Sequence, residues 1–280
     1  MLALCSTVLA CQDDAKISEV ESWEIATIKV GIGEDSRVVC NGVSSSFEAG
    51  DEIGIFGKYV DNAKFVVDEA ANNATSEGKI MVESGEKLFA YYPYNAEVTK
   101  DHTSTVGIRA RSLPVEVPTR QTQTDAIGSH VVQYDCMVAI PTVVTNDVPQ
   151  IIFNRMNAWL EFKICNNEEE SVTVKSVAIE SDEGELLVSG RVDVMAESGE
   201  FYMSVSPISG TKKLVVTTQG EWTTIAPGNS ATVRACILPY DSSALGLEIT
   251  VETDKGVFKK RYYGMDFKPG NAYTMTISGN

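Results

Sequence analysis

What most constrains this chain is a two-residue hydrophobic period that recurs along its length, while no helical stripe runs beyond about two turns. Ala26, Ile28, Val30 and Ile32 share one face, with Thr27 and Lys29 opposite. The same alternation carries Val106, Ile108 and Ala110, then Leu160, Phe162 and Ile164, then Tyr273, Met275 and Ile277. Side chains of a strand point alternately to its two faces, so such runs are half-buried β-strands. Turn chemistry falls between them at Glu48–Asp51, Asp182–Gly184, Glu197–Gly199, Pro227–Asn229, Asp254–Gly256 and Pro269–Asn271. The segment Asp68–Ser76 reads as a polar loop, not a helix, and the stretch from Pro114 through Pro118 to Gly128 as a long irregular loop. Many short strands with regular turns imply an all-β fold of antiparallel β-sandwiches.

A length of 280 residues fits two domains of ordinary size. The polar, proline-containing stretch 145–150 divides the chain into 19–146 and 147–280. Lys and Arg total 23 against 39 Asp and Glu, a net charge of −16. A surface that acidic repels phosphate backbones, which excludes nucleic acid as a main partner.

The N-terminus bears on the compartment. Residues 1–10 (MLALCSTVLA) are uncharged and apolar, too short to span a bilayer, and read as the remnant of a signal peptide. Val8-Leu9-Ala10-Cys11 resembles a bacterial lipobox, which makes Cys11 the lipidation site and 11–18 a lipidated linker. Asp13 and Asp14, just beyond it, resemble the surface-export signal of Bacteroidetes lipoproteins. Of the other cysteines, Cys40, Cys136, Cys165 and Cys236 remain in the mature chain, widely spaced and without a CxxC pair. Neither a zinc site nor a dense disulfide framework is indicated, and the spacing leaves both buried thiols and disulfides open.

Chemistry is sparse. GxGxxG, Walker, HExxH and GxSxG motifs are absent, and the two histidines, His102 and His130, fall in polar stretches. The run Glu168–Glu170 lacks the ligand spacing of a calcium loop and reads as a solvated turn. Tyr91, Tyr92 and Tyr94 could stack on sugar rings, although alternation sends at least part of the cluster into a core. No cofactor, metal site or catalytic residue is indicated, and an enzyme is not expected.

Six segments, in order, carry a resemblance: Ser46–Gly57 (SFEAGDEIGIFG), Leu88–Tyr94 (LFAYYPY), Gln133–Ala139 (QYDCMVA), Ile151–Ile164 (IIFNRMNAWLEFKI), Cys236–Tyr240 (CILPY) and Phe267–Ile277 (FKPGNAYTMTI). Together they resemble the Bacteroidetes fimbrillin family over nearly the whole mature chain. One departure is Arg155, where the family often carries a histidine. The resemblance implies two tandem transthyretin-like β-sandwich domains in an outer-membrane lipoprotein at the cell surface. It implies a stalk, tip or anchor subunit of a pilus, with other pilin subunits as partners. It also implies donor-strand assembly, in which a protease cuts after an arginine that follows the first strand. Arg37 is the only basic residue between Lys29 and Lys58 and is the candidate cleavage site. The displaced strand would present Ala26, Ile28, Val30 and Ile32, and the candidate donor strand Tyr273, Met275 and Ile277. That donor would first have to leave its own sheet. The alternative is a surface lipoprotein that binds glycans or host ligands as an adhesin without polymerising.

Overall fold

In the computed structural model the alternating runs at 26–32, 160–164 and 273–277 become strands, while Val106 and Ile108 lie outside the described residues. The structure describes residues 21–33, 46–68, 72–101, 109–110, 113–145, 147–182, 184–192, 194, 209–239 and 246–278. In chain order the first half gives β1 (Ser22–Ile32), β2 (Glu52–Phe56), β3 (Ala63–Val67), β4 (Asn73–Glu83), β5 (Lys87–Tyr92), β6 (Lys100–Asp101), β7 (Arg109–Ala110), β8 (Leu113–Glu116), β9 (Arg120–Gln123), β10 (Met137–Ala139) and β11 (Thr142–Val143). The rest gives β12 (Gln150–Arg155), β13 (Ala158–Cys165), β14 (Val172–Ser181), β15 (Leu186–Val192), β16 (Ser209–Thr211), β17 (Lys213–Thr218), β18 (Thr224–Ile225), β19 (Ser230–Ile237), β20 (Gly246–Thr253), β21 (Val257–Tyr263) and β22 (Ala272–Ser278). The only helical pieces among the described residues are short 3-10 turns, the longer spanning Ser129–Tyr134. The fold is all-β. The expected turns at Glu48–Asp51, Pro227–Asn229 and Asp254–Gly256 close through backbone bonds, Asp51 N to Glu48 O, Asn229 N to Ala226 O and Thr253 N to Gly256 O.

The first sheet runs β10-β12-β1-β4-β3-β2-β5, and β5 pairs with β10 again, so the sheet closes into a barrel-like ring with β11 outside it on β5. This differs from the expected N-terminal sandwich. Met137 and Val138 of β10 pair with Tyr92 and Tyr91 of β5, while β10 also pairs with β12, and closure of this kind removes the free edges a sandwich sheet keeps. Inward residues fill the ring: Ile28 and Val30 of β1, Ile53 and Ile55 of β2, Phe65 of β3 and Phe153 of β12.

The second half holds two facing sheets, β19-β13-β22 and β21-β20-β14-β17-β9. Between them lies a core that includes Leu160, Phe162, Val177, Ile179, Val216 and Ile249. A third core joins the halves, where Phe56, Phe89 and Tyr91 on the outer side of the ring meet Trp159, Cys236 and Val188. Gly54 is required at this junction, because a Cβ there would fall 2.1 Å from the Tyr91 ring.

The strands are not divided at 146/147. β12 follows that point yet pairs with β1 and β10 in the ring. β8 and β9 precede it yet pair with β15 and β17 of the second half. The stretch from Pro114 to Gly128, expected to be a long loop, is therefore extended as far as Gln123, with Val115, Val117, Gln121 and Gln123 buried. The expected polar loop at Asp68–Ser76 is likewise corrected at its end: Asn73–Ser76 opens β4, with Ala74 buried in the ring. Cys136 and Cys236 are buried free thiols and Cys165 is a half-buried free thiol; Cys40 lies outside the described residues.

Candidate strand-exchange site

β1 is held on both sides. Ser22–Ile25 and Thr27–Lys29 pair antiparallel with β4, and Lys29–Ile32 pair parallel with Gln150–Phe153 of β12. Ile28, Val30 and Ile32 are 0 %, 4 % and 7 % exposed, so three of the four residues expected on the inward face are in the ring core. Ala26 is the exception. The β1–β4 ladder shifts between Ile25 and Thr27, and Ala26 stands half-buried at this irregularity. An irregularity of this kind changes which parity faces inward. Before it Trp23 and Ile25 pack on the core, and after it Ile28, Val30 and Ile32 do. Burial of such side chains stabilises by about 1.5–3 kcal/mol each. Removal of β1 would uncover their groove and leave β4 and β12 with unpaired edges.

β22 sits elsewhere. It pairs parallel with β13 from Trp159–Ala272 through Cys165–Ser278, at the end of the three-stranded sheet. Met275 and Ile277 are buried in the core of the second half, and Tyr273 packs against it. The Tyr273 hydroxyl accepts a hydrogen bond from Lys268 N at 2.7 Å, and its ring meets Phe267 edge-on at 4.9 Å. The structure thus places the two predicted strands in separate cores and does not bring them together. Cys11 and Arg37 lie outside the described residues.

Two buried ion pairs escaped the sequence reading. Arg155, at the end of β12, donates from Nε to Asp135 Oδ1 at 2.8 Å and from its Nη2 to Oδ2 at 2.7 Å. Its guanidinium lies 4.3 Å from the Trp159 ring centroid, and Asn157 Nδ2 donates to Asp135 Oδ1 at 3.3 Å. Burial pushes the Asp135 carboxyl up, and the Arg155 guanidinium opposes this. Arg234 of β19 pairs across the sheet with Glu161 of β13, Nε to Oε1 at 2.8 Å. For the Glu161–Arg234 pair, a charge inside each of the apolar runs AWLEF and TVRACI was the available signal.

Gln121 and Gln123 were missed outright. Gln121 Nε2 donates to Cys236 O at 2.7 Å, and Cys236 N donates to Gln121 Oε1 at 2.9 Å. Gln123 Oε1 accepts from Arg234 N at 2.8 Å, and its Nε2 donates to Thr232 O at 3.0 Å. The two side-chain amides act as a surrogate strand on the outer edge of β19.

The tyrosine cluster is divided. Tyr91 is fully buried, its hydroxyl donating to Asn62 Oδ1 at 2.7 Å, while Tyr92 packs against the ring core and its hydroxyl donates to Asp51 Oδ1 at 3.2 Å. Glu168–Glu170 is exposed, with Glu170 paired to Lys255 at 2.6 Å. His130 is half-buried, and burial pushes its imidazole below the usual range. Among the described residues no group of three or more His, Cys, Asp or Glu could hold a metal ion, and no helix is long and apolar enough to cross a membrane.

The model of the fimbrillin-like family matches residues 36–280. The chain belongs to the fimbrillin-like family. No curated protein matches it in sequence. Among solved structures, this fimbrillin-like chain is similar to a candidate cell adhesion protein from Bacteroides uniformis, at 20 % identity and a TM-score of 0.56, covering 90 % of this chain and 93 % of the other. A candidate cell adhesion protein from Bacteroides ovatus aligns at 16 % identity and a TM-score of 0.57, covering 91 % and 92 %. A fimbrial protein from Bacteroides vulgatus aligns at 12 % identity and a TM-score of 0.52, covering 91 % and 95 %. At these identities the likeness is one of fold, and it extends over both halves of the fimbrillin-like chain.

Proposed function

We propose that this fimbrillin-like protein is a non-enzymatic structural subunit of a cell-surface pilus, assembled by strand exchange with other pilin subunits. The observation that carries the reading is β1, whose Ile28, Val30 and Ile32 fill the ring while both its edges are bonded. A groove emptied of that strand offers unpaired backbone on two sides and apolar sockets at alternate positions, which is what an added β-strand satisfies. Cleavage after Arg37 releases β1 in this reading, and β22 of a neighbour, with Tyr273, Met275 and Ile277, supplies the donor. The facing sheets of the second half serve as its transthyretin-like sandwich. Cys11 carries the lipid that anchors the chain at the outer membrane, since several buried acyl methylenes at about 0.8 kcal/mol each hold firmly without a spanning helix.

Limited trypsin treatment, N-terminal sequencing and size analysis test this. Cleavage should yield a fragment beginning at Val38 and SDS-resistant multimers. A chain cut at Arg37 that stays monomeric refutes donor-strand assembly. The Cys11→Ala variant should move to soluble fractions, and retention at the membrane would refute lipid anchoring. A second reading, an adhesin for glycans or host ligands that does not polymerise, is favoured by the full pairing of β22 with β13. Glycan-array binding by the monomer would support it.

A further inference from the structure

The two open sides of the second-half sandwich are closed in different ways. On one side, Gln121 and Gln123, 1 % and 0 % exposed, bond the outer backbone groups of β19. Buried bonds of this kind face no competition from water, and breaking them leaves orphaned polar groups. The opposite side lies between β21 and β22, the end strands of the two facing sheets. There the closure is made by the exposed Lys260 and the half-buried Tyr262. Thr276 O turns away from β13 and accepts two hydrogen bonds from β21, from Lys260 Nζ at 2.9 Å and from Tyr262 OH at 3.0 Å. Lys260 Nζ also sits 5.3 Å from the Tyr262 ring centroid, so the two donors support each other. Asn271 O, of opposite parity, accepts from Trp159 N, as the alternation of a strand's backbone groups requires.

We propose that Lys260 and Tyr262 form a latch that holds the C-terminal strand β22 in its own sheet and sets how readily it is released. The proposal rests on the reading of β22 as the donor strand and adds the control over it. What keeps β22 in place is the β13 ladder, the burial of Met275 and Ile277, the Tyr273 contacts with Phe267 and Lys268 N, the Thr274 hydroxyl bond to Glu161 Oε2 at 3.0 Å, and this latch. Among the described residues, the latch is the contact made from outside the strand's own sheet by side chains that water and an arriving neighbour both reach. A subunit approaching the outer edge of β22 must take over the Thr276 carbonyl, and in doing so opens the latch. The β19 side, sealed by buried glutamines, offers no comparable entry.

The test is hydrogen–deuterium exchange on the full chain carrying Lys260→Met and Tyr262→Phe, substitutions that remove both donors while the Phe ring keeps the packing of Tyr262 against the core. Exchange in the peptide covering β22 should accelerate about tenfold, the factor equivalent to about 1.4 kcal/mol, while the peptide covering β19 is unchanged. Lys260→Arg, which retains a donor, should exchange close to the parent rate. An unchanged rate at β22, or equal acceleration at β19, would overturn the latch. The same variant, cut at Arg37, separates the two ideas: faster exchange with faster multimer formation supports both. Faster exchange without multimers leaves the latch standing and refutes β22 as donor.

Discussion

Replacing Gln121 with leucine tests whether a side-chain amide stands in for a strand in this fold. The change preserves approximate volume and removes both hydrogen bonds to Cys236, the 2.7 Å bond to its carbonyl and the 2.9 Å bond from its N–H. Cys236 is 0 % exposed, so water does not replace them. Each buried group left without a partner costs about 1–3 kcal/mol. Added apolar contact from leucine offsets about 1 kcal/mol, and the net loss is therefore about 3 kcal/mol. Urea unfolding followed by tryptophan fluorescence measures it, since Trp159 lies in the same core as Cys236. Thr122→Val is the control: Thr122 is exposed on the same strand, its hydroxyl bonded to the Thr217 hydroxyl at 3.1 Å, and its loss should stay within about 0.5 kcal/mol. If Gln121→Leu is also within that margin, β9 does not complete β19, and the argument that one side of the sandwich is sealed fails with it.

Arg155→Met strands the Asp135 carboxylate in the core between the halves and should destabilise by about 3–5 kcal/mol, with Arg155→Met/Asp135→Leu recovering most of the loss in a double-mutant cycle. Tyr91, whose phenol burial raises from 10.0 to about 12, contributes to alkaline stability alongside Tyr92, Cys136 and Cys236, which burial also pushes up. The unfolded chain gives up that proton first, so stability should decline as pH rises from 10 toward 12; Tyr91→Phe should flatten this slope, and an unaltered slope would show that another group governs it.

The strand character of the chain, the burial of the alternating runs such as Leu160, Phe162 and Ile164, and the family were all legible in the order of residues. Ile28, Val30 and Ile32, like Met275 and Ile277, announce their burial because alternation is a local property and the pleat enforces it at every step. The turns at Pro227–Asn229 and Asp254–Gly256 were legible for the same reason, since each depends on a few adjacent residues. Ala26 was misjudged because the shift in the β1–β4 ladder depends on β4, some fifty residues away.

Which strand meets which was decided only in three dimensions. Nothing local to Met137–Ala139 distinguishes a strand that pairs on both sides and closes a ring from one at the edge of an open sheet. Nothing near Gln150–Arg155 says that it returns to the first half. The segment Leu113–Gln123 hid most completely, because two of its inward positions are glutamines and a polar residue signals solvent until its partners are known. Those partners, the N–H groups and carbonyls on the edge of β19, lie more than a hundred residues away. A hydrophobic side chain states its preference for burial alone, through its own transfer from water; a polar one is buried only where another part of the chain supplies its hydrogen bonds.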